Sequence, residues 1–496
     1  MGVSLVKSLS SEDKGIYVRG GNLAISFYLC SVVALTLAII YENVFHWFLI
    51  PLVLCGALVG SDAIGWLNRG TDIFNPIIIF GLYGVYFFFL APLLHVILDY
   101  WMKYVTPPSD WRLWLGCMAW LNFLGLMIMV WARNCCLKWK GSTRNRTIWE
   151  LDRKRFYPLW MLLLVCSLIL QAWVYTSRGG IYGYITAYTE RDIYAFQGMG
   201  LLFMISESFP ILAIMGYAVF AKRRNLLKSW PVIAFVFISF LVAQVLFGGL
   251  RGSRSNTILI FLWAAGIIQL WVRPIPRKAA LIGLAVMLAF MYVYGFYKSA
   301  GKGVINILRS RETVAILEEE TGRDEKSLLL GDLSRSDVQA FILYRLSGHS
   351  DYELAWGRSY LGDASILIPR QLWSNRPPSK VKEGTEIGSG KGSYNPEGNV
   401  SSRVYGLGGE AMLNFGPPAV PLAYLFFGFL FGIISAAYSR MEQRDARNLL
   451  LPILSIMPVL ILTSDFDNLI FFIVKNCTVP LILVFIASRR YEYNEK

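Results

Sequence analysis

Charge is scarce in this 496-residue chain, at 16%, and histidine occurs only three times. With 55% hydrophobic residues and a mean hydropathy of +0.48, so little charge excludes a single soluble domain, because the apolar surface exceeds what one core buries. Cysteine is also uninformative as chemistry. Cys30, Cys55, Cys117, Cys135, Cys136, Cys166 and Cys477 show no zinc-ligand spacing, and all fall in expected helices or on the inner side, none in the outer loops, so they read as packing residues rather than a disulfide or metal framework. No Walker sequence, glycine-rich dinucleotide fingerprint, metalloprotease helix, internal repeat or coiled coil is present. The first 21 residues lack an apolar core and a cleavage site, so the first span is expected to act as its own signal. "MGVSLV" lacks the Ser or Thr at position six that a myristoylation signal needs.

What is present is a series of apolar blocks, at roughly 22–41, 44–60, 74–100, 113–132, 157–176, 200–220, 230–247, 257–272, 279–297, 416–438, 449–463 and 469–487. They predict an all-α integral membrane protein with about twelve transmembrane helices, several of them short. Basic connections orient the spans: the N-terminus, the loop from Arg133, "KRRNLLK" from Lys222, "RPIPRK" from Arg273, "RMEQRDAR" from Arg440 and the tail with Arg489 and Arg490 all belong inside. The turns near Glu42 and at "SDFDN" from Ser464 carry no Lys or Arg and belong outside. The net charge of +14 is therefore a topology signal, and no nucleic-acid partner is expected. The expected division is spans 1 to 9 over 1–297, a large outer loop over 298–415, and spans 10 to 12 with a cytoplasmic tail over 416–496. A loop of about 118 residues is usually functional.

Three outer segments hold candidate chemistry. In "FGGLRGSRSN", Arg251 and Arg254 flank a glycine-rich turn leading into a helix, an arrangement suited to a pyrophosphate; the competing reading is that both snorkel to lipid headgroups. Arg178 and Arg191 lie among tyrosines that suit sugar stacking or an interfacial anchor equally. In the long loop, "GRSYLGDASILIPRQLWSNRPPSK" carries Tyr360, Arg370, Trp373, Arg376 and Lys380, with Pro369, Pro377 and Pro378 stiffening the backbone that presents the bases. A solvated loop face is the bland account of Arg370 and Arg376.

The run from Gly357, followed by "GEAMLNFG" from Gly409, resembles the outer loop and following helix of the Wzy-type O-antigen and enterobacterial common antigen polymerases. The matching elements are Gly357 to Leu361, Ile368 to Trp373 with Arg376 and Pro377, and Glu410 to Gly416; the turn with Arg251 and Arg254 is similar to the family's G-G-x-R element. Residue matches cover some sixty positions, and Arg376 stands where many relatives have Lys. The resemblance implies a GT-C-like polymerase or ligase membrane fold in a bacterial inner membrane, with both termini cytoplasmic and the site periplasmic. It implies transfer of a growing glycan from undecaprenyl pyrophosphate to the non-reducing end of a lipid-linked repeat unit, with a chain-length regulator and a flippase as pathway partners.

The residue types suit that chemistry independently. A leaving pyrophosphate gathers negative charge, so fixed cations are needed, and Arg251, Arg254, Arg370 and Arg376 are the candidates, with Lys380 peripheral. For the base, His349 oriented by Asp351, with Arg345 and Tyr352 nearby, competes with Glu410, whose bland role is to cap a helix. Glu207 lies within a span and is expected to face the interior and meet an arginine of the outer turns, while Lys475 is expected to pair with Asp467 or to snorkel. No cluster calls for a metal or cofactor. A ligase with the same donor, a lipid-linked oligosaccharide flippase or transporter, and a structural or partner-binding protein are the rival functions.

Overall fold

Each of the twelve apolar blocks forms helix in the computed structural model, which describes residues 20–494 apart from 70–71, 142–144, 190–198, 252–253, 301–323, 369–371, 397, 399, 401–402 and 443. Among the described residues ten helices are long and apolar enough to cross a membrane: Gly20–Ile40, Leu49–Leu67, Pro76–Ile97, Trp111–Lys138, Arg153–Thr176, Gly200–Ala221, Trp230–Phe247, Arg277–Gly295, Ala419–Arg440 and Phe466–Ala487. The other two blocks are the shorter apolar helices Asn256–Val272 and Leu451–Thr463. One two-stranded antiparallel sheet, Asn145–Leu151 against Ser488–Asn494, is the only sheet among the described residues. The chain is an all-α multi-pass membrane protein.

The short helix Leu451–Thr463 has 13 residues, roughly 20 Å of rise, less than the ~30 Å apolar layer. It tolerates this because protein rather than lipid surrounds it, with Leu451, Ile453, Ile456, Leu460 and Leu462 all buried.

Close approach of two spans is set by glycine. A Cβ on Gly428 would lie 2.6 Å from the Met129 carbonyl oxygen, and one on Gly432 would lie 2.9 Å from that of Arg133. The four-residue spacing puts both glycines on one face of Ala419–Arg440, so the backbones of this helix and Trp111–Lys138 touch without side chains between them.

At that crossing Arg133 is fully buried and its guanidinium donates to Asp62 at 2.7 Å. Arg133, expected to open a basic inner loop, is instead part of the helix interior; the loop's bases begin farther on.

The connections collect at two ends of the bundle. At one end the strand pair meets the 441–450 segment, where Arg447 donates to the Thr147 carbonyl at 2.7 Å. At the other, Asn43 bonds the Val96 carbonyl, Arg403 bonds that of Lys103, and Arg335 bonds that of Thr463. The described part of the expected outer loop has helices at Ser336–Leu346, Arg358–Ala364, Lys380–Ser389 and Gly406–Phe415. Its apolar side chains do not form a separate core: Ile342, Ile387 and Met412 pack in one cluster with Phe80, Leu126 and Phe427 of the spans.

Candidate functional site

Two stretches of the resemblance meet around Asn414. Its side-chain oxygen accepts from Gly357 N at 3.1 Å, and its amide donates to Ser359 Oγ at 2.8 Å and to the Glu410 carbonyl at 2.9 Å. Backbone bonds from Ala355 N to Leu413 O and from Trp356 N to Asn414 O complete the join. Gly357 turns the chain into the Arg358–Ala364 helix at φ 86°, a region that favours glycine. A Cβ on Gly362 would fall 2.2 Å from the Pro378 carbonyl oxygen, so only glycine lets this helix press on Pro377 and Pro378. The result is to turn Tyr360 and Asp363 toward the end of the last span.

There they meet residues from the "SDFDN" turn. Asp465 is buried and accepts from Tyr405 N at 2.8 Å and Gly406 N at 2.7 Å, while its other oxygen takes the Lys380 ammonium. Lys380 also donates to Asp467 at 2.9 Å. Glu410 accepts from Phe466 N at 2.8 Å, so it caps the N-terminus of the last span rather than the helix after "NFG". The Glu410 and Asp363 carboxyls are near enough for the Asp363 charge to raise the proton affinity of Glu410, and Glu410 Oε1 and Asp363 Oδ2 are buried with no hydrogen-bond partner among the described residues. Two buried carboxyls in one site do not both ionise readily, so one of them holds its proton.

Burial is the main cause of the titration pattern. It holds Glu410 well above the usual carboxylate range, reinforced by Asp465 and Asp363. It pushes Asp363 up to about 6, reinforced by Asp467. At Lys380 burial is outweighed: it opposes the ammonium charge, but Asp465 and Asp467 more than offset it and raise the pKa. The Tyr360 hydroxyl is raised by burial and by Glu410, Asp465 and Asp363, which places it at the same cluster; the residue itself is half-buried and reaches the surface.

A second charged group lies farther down the same last span. Glu207 pairs with Arg251 at 2.8 Å and with Lys475, and Arg251 stacks on Phe203 with its guanidinium carbon 3.8 Å from the ring centre. The expected meeting of Glu207 with an outer arginine is observed, whereas Lys475 pairs with Glu207 and not with Asp467. A π turn over Ile473–Cys477 widens the helix here and buries both Lys475 and Asn476, the latter donating to Asn256 at 2.6 Å. Beside the Arg251 turn an apolar groove of about 330 Å³ opens between the Trp230–Phe247, Asn256–Val272 and Arg277–Gly295 helices, lined by Val245, Leu246, Phe261, Val286 and Phe290 among others.

Other expected residues are placed elsewhere. His349 is exposed, stacks on Tyr344 and bonds its carbonyl at 3.1 Å. Asp351 does not orient it and instead accepts from Lys391 N at 3.2 Å. Arg345 donates to the Ile387 carbonyl at 2.9 Å, and the Tyr352 hydroxyl bonds Glu383 at 2.9 Å, the same buried carboxylate that Arg358 holds at 2.7 Å. Arg376 donates to the Ser365 and Ile368 carbonyls, closing the loop that precedes the prolines. Lys380, expected at the margin of a phosphate site, has its ammonium buried between two aspartates. Arg178 lies near the Met199 sulfur at 3.8 Å, and Trp373 is half-buried. Arg191 and Arg370 lie outside the described residues, as does the side chain of Arg254, whose backbone opens a helix.

Asp363 and Asp465 escaped the sequence reading. Asp363 sits inside the quoted stretch, and of the two carboxylates in "SDFDN" only Asp467 drew an expectation, as a partner for Lys475. Comparison with family models, curated proteins and solved structures found no match for this chain.

Proposed function

We propose that the chain is a membrane glycosyltransferase that polymerises lipid-linked repeat units, working at the outer face of a bacterial inner membrane. Two observations support this reading: an apolar groove beside the turn that carries Arg251, and a buried pair of carboxyls, Asp363 and Glu410, at the start of the last span next to the half-buried Tyr360. Undecaprenyl pyrophosphate has a matching form, with a long apolar chain ending in a diphosphate. In this reading the polyprenyl chain lies in the groove and its pyrophosphate meets the turn with Arg251 and Arg254. Charge developing on the leaving oxygen is stabilised by fixed guanidinium donors.

The acceptor hydroxyl attacks the anomeric carbon as the bond from that carbon to the pyrophosphate oxygen breaks. The leaving group keeps the electron pair, and the hydroxyl proton passes through the Tyr360 hydroxyl to Asp363. A carboxylate with a pKa near 6 suits that transfer at neutral pH. Glu410, held protonated, donates to Asp363 and keeps it oriented. A ligase would use the same donor site with another acceptor, and the ion group at Glu207 within a span favours a transporter as the second reading.

The test is the glycan made by a strain lacking the chain and complemented with wild type, Asp363→Asn, Tyr360→Phe or Arg251→Ala, each checked for membrane expression. Single repeat units in place of polymer, with each variant reduced at least ~100-fold, is the expected result. Polymer that is made but never attached to its final acceptor would move the assignment to a ligase. Lipid-linked units trapped on the cytoplasmic side would replace the enzyme with a flippase.

A further inference from the structure

At the end of the bundle opposite the carboxyl cluster, a polar pocket of about 580 Å³ lies between the strand pair and the ends of the spans. The last span separates the two places: Asp465 precedes its first residue, and Arg489 of the pocket follows its last. Six cations line the pocket, Arg153, Lys154, Lys222, Arg223, Arg444 and Arg489, against two carboxylates, Glu150 and Asp152. Asp152 is already engaged, accepting from Lys154 N at 3.0 Å and from Arg489 at 2.7 Å. Arg223 and Arg444 have no carboxylate partner among the described residues, and the Arg153 Nη1 nitrogen is buried with no hydrogen-bond partner there.

Scattered bases on a loop repel one another into solvent, but these converge on a concavity. Burial lowers the Lys222 pKa, with Arg444 as the next cause, and its ammonium sits 4.2 Å from the centre of the buried Trp271 ring. Like charges gathered in this way are stabilised by an anion between them, and phosphate oxygens match both guanidinium and ammonium donors. Basic pockets between membrane helices are suited to anionic headgroups.

We propose that this pocket binds the phosphate groups of an anionic molecule, supplied by a lipid headgroup or by a soluble phosphorylated compound. It is separate from the donor site proposed above and does not depend on that reading.

The test uses the full chain purified into phosphatidylcholine nanodiscs, with and without cardiolipin, and titrated with inorganic pyrophosphate. Native mass spectrometry reads bound cardiolipin and calorimetry reads pyrophosphate, for wild type, Arg223→Ala with Arg444→Ala, and Arg223→Lys with Arg444→Lys. Retained cardiolipin that is lost from the alanine pair and kept by the lysine pair identifies a lipid headgroup. Saturable pyrophosphate binding that weakens at least ~10-fold in the alanine pair identifies a soluble source. Thermal unfolding of each variant shows that the fold is intact. Binding of both probes unchanged by the alanine pair, or binding of neither by wild type, overturns the proposal.

Discussion

Asp363 and Glu410 have raised pKa values because the folded chain buries them, so they oppose stability where the unfolded chain is ionised. The unfolded Asp363 loses its proton near 3.8 and the folded one near 6, so the folded state becomes relatively less stable as pH rises through that window and levels off above it. Glu410 extends the same fall to higher pH. Thermal unfolding of the solubilised protein should show Tm dropping from pH 4 to 6.5, with a flatter profile for Asp363→Asn; an unchanged slope in that variant would remove Asp363 as the cause. A different residue-scale outcome is expected at Arg133. Asp62→Ala leaves its guanidinium buried without a counter-charge and should cost about 3–5 kcal/mol, read as a fall in Tm, while Asp62→Leu combined with Arg133→Met should recover most of it.

At the scale of elements, the contact between Ala419–Arg440 and Trp111–Lys138 depends on having no side chain at Gly428 and Gly432. Gly428→Val places its first carbon 2.6 Å from a backbone oxygen that cannot rotate away, so the helices must separate. Overpacking of this kind costs about 1–3 kcal/mol, and here it also pulls Arg133 from Asp62, so a loss at the upper end is expected in thermal unfolding. Gly283, which has nothing within 4 Å of its Cβ position, serves as the control, and Gly283→Val should be near neutral.

The whole molecule has two chemically different ends, one with the carboxyl cluster and one with the basic pocket. If the basic end is cytoplasmic, impermeant thiol reagents distinguish them in intact cells with the outer membrane opened. In a background carrying Cys135→Ser, which removes the exposed native thiol, Asp351→Cys should label directly and Arg444→Cys only after the inner membrane is permeabilised. Labelling of both from one side would overturn the proposed orientation.

The sequence by itself determined the class of protein and the twelve helical segments, because long apolar runs must be helical wherever lipid offers the backbone no partner. It also pointed to Glu207, because an ion inside a span is costly and stands out against an apolar background, and to Arg251, Lys380 and Glu410 through the chemistry a pyrophosphate donor needs and the family resemblance. What each ion touches was decided only by the tertiary structure. Lys475 bonds Glu207, 268 positions distant in the numbering, rather than Asp467 on its own helix, because a π turn directs it to the interior. Asp363 and Asp465 looked like ordinary loop polar residues until Gly357 and Gly362 let one short helix close against Pro378 and bury them together. A carboxyl's proton affinity depends on the charges and solvent around it, and those come from segments that spacing along the chain does not reveal.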